Sequence, residues 1–357
     1  MRVIAYYLPQ FHAIPENDEW WGKGFTEWTS VKNAKRLYPG HLQPNVPADL
    51  GYYNLLDPDI RQHQADMARQ AGVEGFCYWH YWFGNGKQLL EKPLQQVLES
   101  GEPDFPFCIG WANESWKAKV WSDITGKSDK TLIEQTYKEE DIELHFQNIL
   151  PLLKDKRYIR VDGKPLIVIY RPFELPDATN FILRWNKLAK DAGLKGIYFV
   201  GHTLYSTEID KILNLGFDAV NVVRLGDCRR DKRMIIRNAL NLLLYAFGFI
   251  PFVYSYRAAN KVLVGREGER ENVFPSLIPR WDHTPRSGKN GFVLHGSTPQ
   301  LFREQVLKVK NQINKKDEEH QIVFLKSWNE WGEGNYIEPD KRWGWQYLDN
   351  LAKTVKE

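Results

Sequence analysis

Ile322-Val-Phe-Leu-Lys-Ser-Trp-Asn-Glu-Trp-Gly-Glu-Gly-Asn-Tyr-Ile-Glu-Pro339 decides how the rest of the chain is read. It opens on a short apolar run of strand character. The run ends in two tryptophans (Trp328, Trp331), an amide (Asn329), two carboxylates three residues apart (Glu330, Glu333) and two glycines (Gly332, Gly334). A buried strand ending in clustered polar and aromatic groups is how a barrel enzyme presents a site at the C-terminal end of a strand. Indole faces beside carboxylates and an amide suit sugar rings, whose C–H faces stack on the rings while the hydroxyls take hydrogen bonds.

Working outward, the same pattern recurs. Apolar runs at residues 2–8, 73–79, 105–111, 165–170, 196–201, 219–223 and 276–278 (Val273 extends the last) each read as a strand that ends in polar or aromatic tips. Helical patterns separate them at residues 57–71, 88–100, 139–153, 179–192, 206–215 and 299–315, and another closes the chain at 345–356. Asp57 and Pro58 give the first of these an N-cap and a first turn. Eight strands alternating with helices predict an α/β fold, a (β/α)8 TIM barrel forming a single domain over residues 1–357. An open doubly wound sheet would want a Gly-rich phosphate loop after its first strand, and none is present. The long loop after strand one carries Trp20, Trp21, Glu27 and Trp28, more rings than an idle connection needs.

Residues 229–261 interrupt the connection between strands six and seven as an apolar and basic insertion. Its apolar block, 240–254, falls short of the ~20 residues that span a bilayer. It reads either as a helical cover packed on the barrel or, through residues 235–255 with basic flanks, as a surface-lying membrane anchor.

Other features narrow the class. A net charge of +3 gives no reason to expect a nucleic-acid partner. Cys77, Cys108 and Cys228 lack CxxC spacing, and free buried thiols are expected. No HxxxH or HxH spacing occurs, so neither a metal nor another cofactor is predicted. The stretch before the first strand is too short for the apolar region of a signal peptide, which predicts a cytoplasmic protein.

Residues three apart on a helical turn share a face, so Glu330 and Glu333 point into one cavity if the loop coils, as Gly332 and Gly334 allow. Glycosidic bond cleavage needs one carboxyl protonated and a second ionised, and two close carboxylates push their pKa values apart. Two acids on one loop, however, approach a sugar from one side. That favours action of one of them on a neighbouring hydroxyl rather than direct attack at the anomeric carbon. The bland alternative is a structural strand end with solvated acids. At the other tips, Tyr7, His12, His80, Trp111, Asn113, Glu114, Arg171, His202, Arg280, Asp282, Trp328 and Asn329 are candidate substrate contacts, with core packing or mutual pairing as the alternative. Glu338, before Pro339, reads as a support or a substrate ligand.

Tyr6-Tyr-Leu-Pro-Gln-Phe-His12, Gly24-Phe-Thr-Glu-Trp28, Gly75-Phe-Cys-Tyr-Trp-His-Tyr-Trp82, Trp111-Ala-Asn-Glu-Ser-Trp116 and Ser327-Trp-Asn-Glu-Trp-Gly-Glu-Gly334 together resemble the WbsX family, a glycoside hydrolase family 99-like group often encoded in bacterial O-antigen loci. The resemblance covers nearly the whole chain outside 229–261. It implies a barrel acting on glycans, either an oligosaccharide or a lipid-linked precursor. It further implies that Glu330 deprotonates the sugar 2-hydroxyl to give a 1,2-anhydro intermediate, with Glu333 as general acid and then base. The family is commonly labelled glycosyltransferase, which keeps a transferase as one alternative and a non-catalytic glycan-binding barrel as another. The chain has no Rossmann-type half and no convincing Asp-x-Asp site, which favours the hydrolase.

Overall fold

The computed structural model describes residues 1–117, 131–231, 239–240, 243–244, 246–247 and 252–357. Eight parallel strands build it: β1 (Arg2–Tyr7), β2 (Val73–Trp82), β3 (Phe107–Trp111), β4 (Lys164–Ile169), β5 (Tyr198–Thr203), β6 (Ala219–Val222), β7 (Val273–Leu277) and β8 (Ile322–Leu325). Each pairs with the next, and β1 also pairs with β8, with Arg2 opposite Ile322 and Ala5 opposite Leu325, so the sheet closes into a (β/α)8 barrel. Strands covered on both faces become continuous apolar runs, which is why they were legible in the sequence.

The outer ring is α1 (Pro58–Gln70), α2 (Lys92–Ser100), α3 (Glu139–Lys154), α4 (Ala178–Asp191), α5 (Ile209–Leu213), α6 (Tyr256–Leu263), α7 (Pro299–Ile313) and α8 (Gln346–Lys356). Side-chain caps start some of them, the expected Asp57 cap included. The Asp57 carboxylate accepts from the Asp59 N–H ahead of α1, and the Thr298 hydroxyl accepts from the Leu301 N–H ahead of α7.

Alternation along β1 decides what faces where. Tyr6 points into the barrel, stacks on Trp79 at 4.6 Å and donates from its hydroxyl to Asn221 on β6. Tyr7 points outward and donates to Gln64 on α1 at 2.6 Å.

Three local features differ from the sequence reading. β2 runs on to Trp82, and its end pairs with Gln88–Leu89, so α2 begins at Lys92. The loop after β1 contains two short helices, Pro15–Trp21 and Glu27–Lys32. A three-stranded sheet of Phe252–Ser255, Phe292–His295 and Trp281–Asp282 sits over the β7 side. The expected insertion 229–261 therefore starts inside a helix, Leu225–Arg230, and its final part is this sheet's first strand and barrel helix α6. Between these, 232–238, 241–242, 245 and 248–251 lie outside the described residues, which takes in seven of the fifteen positions of the apolar block 240–254. Among the described residues no helix is long and apolar enough to cross a membrane. Cys77, Cys108 and Cys228 are buried and free.

Candidate active site

The loop after β8 is held by its own side chains. The Asn329 amide pairs with both backbone groups of Leu8, accepting from the N–H at 2.7 Å and donating to the carbonyl at 3.0 Å. The Ser327 hydroxyl accepts from the Glu330 N–H and donates to the Asn335 carbonyl. Asn329–Glu330 then turns back to pair with Asn335–Tyr336. Gly334 takes φ +54°, a left-handed conformation that glycine adopts without strain. At Gly332 a Cβ would collide with the Glu27 carboxylate, so only glycine lets the two loops close together.

This packing sets Glu330 and Glu333 around one guanidinium. Arg286, from a short helix after β7 (Thr284–Ser287), donates from Nε to Glu27 at 2.8 Å and from Nη1 to Glu333 at 2.7 Å, with Glu330 3.5 Å from the same Nη1. The surroundings of the two acids differ. Glu330 is 5% exposed and receives the Trp79 indole N–H at 3.1 Å. Burial and the adjacent Glu333 carboxylate push its carboxyl up to about 7. Glu333 is half-buried, but Arg286 and His283, whose Nε2 lies 3.5 Å away, overcome the desolvation and hold it well below the usual carboxylate range. The closer contact of Arg286 with Glu333, and the His283 ring beside it, separate the pair. Burial would weaken the Arg286 charge, but Glu27, Glu333 and Glu330 together keep it firmly protonated.

Both acids line a cleft of about 920 Å³ at the C-terminal end of the barrel. Trp79 and Tyr81 from β2, Tyr170 beyond β4, Trp281 on the β7 side and Trp20 and Trp21 from the loop after β1 give it ring faces. Lys326 lies in the cleft wall immediately after β8, 5% exposed.

Of the other sequence candidates, Glu114 and Arg171 line the cleft, joined by an ion pair at 2.9 Å and both partly exposed. The remainder are turned away from it. Tyr7 bonds Gln64 outside the barrel, because β1 parity sends Tyr6 inward instead. His80 meets His145 at 2.9 Å between Nε2 atoms, and burial lowers its imidazole to about 4. Trp111 gives its indole N–H to the Trp82 carbonyl. Asn113 is spent on Tyr137 and on the backbone of Arg171. His202 packs on Tyr170 and Trp79, and burial, then Lys326, lowers its imidazole well below the ordinary value. Arg280 donates to Tyr336 and Asp340 beneath the β8 loop. Asp282 accepts from Gln43 and Thr284 and meets the His41 imidazole at 2.8 Å, tying the loop after β1 to the β7 side. Trp328 is fully buried against Phe76, and Asn329 is spent on Leu8. His12 lines a separate, smaller cavity of about 470 Å³, with Nδ1 against the Pro9 carbonyl. Glu338 is sealed inside the fold, accepting from Trp331, Gln64 and Tyr53.

The cleft residues missed from the sequence are Trp79, Tyr81, His283, Arg286 and Lys326, with Glu27 read only as part of the loop. The parity of β2 could have suggested Trp79 and Tyr81 in place of His80. Nothing local marks Arg286, which reaches Glu27 across 259 positions of sequence.

Fold and site thus define a closed eight-strand barrel with a paired-acid cleft at its C-terminal end. The chain belongs to the WbsX family: the model described as Glycosyltransferase WbsX matches residues 3–351. An uncharacterized protein, WxcX of Xanthomonas campestris pv. campestris (strain B100), is 35% identical over 360 residues, covering 99% of this chain and 49% of the relative. The chain spans about half the length of the curated relatives it matches. A GH99 endo-alpha-mannosidase from Bacteroides thetaiotaomicron, in complex with BIS-TRIS-propane, shares the fold with TM-score 0.59 at 17% identity, over 99% of this chain and 96% of its own. A glycoside hydrolase-like protein superposes with TM-score 0.60 at 16% identity, over 99% and 93%.

Proposed function

We propose that this protein is a carbohydrate-active enzyme that cleaves or rearranges a glycosidic bond in a bacterial polysaccharide or its lipid-linked precursor. One observation carries the reading: Glu330 and Glu333 meet at one guanidinium in the wall of a ring-lined cleft. Membership of the WbsX family and the hydrolase names of the barrels it resembles support it.

In this mechanism Glu330 takes the proton of the sugar 2-hydroxyl, the 2-oxygen attacks the anomeric carbon, and Glu333 protonates the departing oxygen. Water then attacks the anomeric carbon and opens the 1,2-anhydro ring, with Glu333 taking the proton of water and Glu330 returning its proton to the 2-oxygen. A carboxyl titrating at about 7 is well matched to base work near neutral pH. Below about pH 7 the pair's proton rests on Glu330 rather than Glu333, which Arg286 and His283 hold toward the ionised form. The reactive arrangement differs only by transfer of that proton between the two adjacent carboxyls, which a substrate drawing Arg286 away from Glu333 would favour.

A test of roles uses two glycosides of the cleaved sugar, one with a good aryl leaving group. Glu333→Gln is expected to retain turnover of the activated glycoside and lose the ordinary one, whereas Glu330→Gln loses both. Equal loss in both variants would refute the assignment. Release of nucleotide from a nucleotide sugar, dependent on acceptor, would replace the hydrolase with the transferase that the family name describes. Turnover by neither route, with glycan still bound, would leave a binding barrel.

The same reading includes a cytoplasmic protein touching the membrane through residues 235–255. Leu240, Leu243 and Phe247 are exposed, and basic residues flank the block in sequence. Deletion of 235–255 is expected to abolish co-sedimentation with anionic vesicles; unchanged sedimentation would end the idea.

A further inference from the structure

Lys326 is buried in the cleft wall, and Glu330 and Glu333 act on it only from a distance. Glu27, Glu330 and Glu333 are all turned to Arg286, and no described carboxylate lies within ion-pairing distance of the Lys326 Nζ. Its enclosure is aromatic: Nζ stands 5.6 Å from the Tyr6 ring centre and 5.8 Å from those of Trp79 and Trp281. Ring faces attract a cation but leave its three N–H donors without strong acceptors. Beside it the buried Trp281 Nε1 also has no hydrogen-bond partner among the described residues. A desolvated charge and an orphan N–H are both unfavourable unless something arrives to pair with them. Both residues line the cleft, on the side that holds the acids.

We infer that Lys326, with Trp281 beside it, selects a sugar carrying an acidic substituent, a carboxylate or phosphate group, on the ring that enters the cleft beside the acids. The inference rests on the reading of the cleft as a glycan site and adds the substrate class to it. Lys326 acts here as a specificity-determining contact: its ammonium meets the anionic oxygens and Trp281 supplies a further N–H.

The test compares binding of D-glucuronate, D-galacturonate and D-mannuronate with that of their neutral parents and of inorganic phosphate, by saturation-transfer NMR competition. In the intact protein at least one uronate is expected to bind about ten-fold or more tighter than its neutral parent, the scale of a charge-assisted hydrogen bond. Lys326→Met should bring the ratio of uronate to neutral-sugar affinity down to about one, and Lys326→Arg should keep part of the preference. Equal binding of acidic and neutral sugars, or a preference that survives Lys326→Met, would overturn the inference and leave the glycan cleft standing. Binding of no sugar at all would overturn both, and binding of phosphate alone would mean an anion site without sugar selection. If the methionine variant does not fold, the comparison in the unaltered protein decides the matter.

Discussion

Glu330 and Glu338 belong to one loop, and burial pushes both carboxyls up to about 7, yet they face opposite surroundings. Glu330 opens on the cleft beside a second acid and a shared arginine. Glu338 is 2% exposed and closed in by Trp331, Gln64 and Tyr53, all neutral donors that secure the loop to the barrel wall. A raised carboxyl pKa therefore marks desolvation, and only access with a partner of different ionisation marks chemistry. The same contrast separates Glu114 and Arg171, at the cleft, from Asn113 between them and the core, whose hydrogen-bonding groups are consumed by structure.

The largest effect should come from the acids themselves. Glu330→Gln and Glu333→Gln are each expected to lower kcat/KM on the ordinary substrate by about 10²–10⁴-fold, the range of general acid–base catalysis, whereas Glu338→Gln changes it by less than about threefold. A Glu338 variant as inactive as the Glu330 one would erase the distinction between the two ends of the loop.

Arg286→Met sharpens the contrast next. It removes the cation that holds Glu333 ionised, so the pH at which Glu333 gains its proton rises and the acid limb of the pH–rate profile moves to higher pH. Leaving buried acids unpaired should also cost about 3–5 kcal/mol of stability, read by thermal or urea unfolding. An unmoved acid limb would mean that Arg286 does not set the ionisation of the pair.

Glu338 makes a prediction about stability alone. Its folded-state value of about 7 exceeds the ordinary 4.5, so the folded chain binds the extra proton between those values. Its contribution to stability is therefore highest below about 4.5 and declines as pH rises to about 7, by up to about 3 kcal/mol. Relative to the unaltered protein, Glu338→Gln should gain stability progressively across that window, after an initial loss of about 1–3 kcal/mol for the disturbed hydrogen bonds. A pH-independent difference between the two proteins would count against a protonated Glu338.

The smallest effect belongs to Tyr7→Phe, which loses one outward hydrogen bond to Gln64 and should cost about 1 kcal/mol with activity unchanged. A large loss of activity would return Tyr7 to the site.

By itself the sequence determined the barrel and the address of the paired acids on which the proposed chemistry rests. Apolar runs closed by polar tips locate the strands, with Ile322–Leu325 read to the residue, and the spacing of Glu330 and Glu333 with their glycines locates the acids. Both signals are local, since burial on two faces writes itself into consecutive residues and a turn writes itself into its glycines. Tertiary structure alone decided which tips face the cleft and which cations meet the acids. Tyr6 and Tyr7 are chemically alike and differ only in parity, while Glu27, Arg286 and Glu333 are brought together from three loops far apart in the chain. Direction across a closed sheet and the neighbours met there depend on the packing of every strand at once, and no stretch of neighbouring residues encodes them.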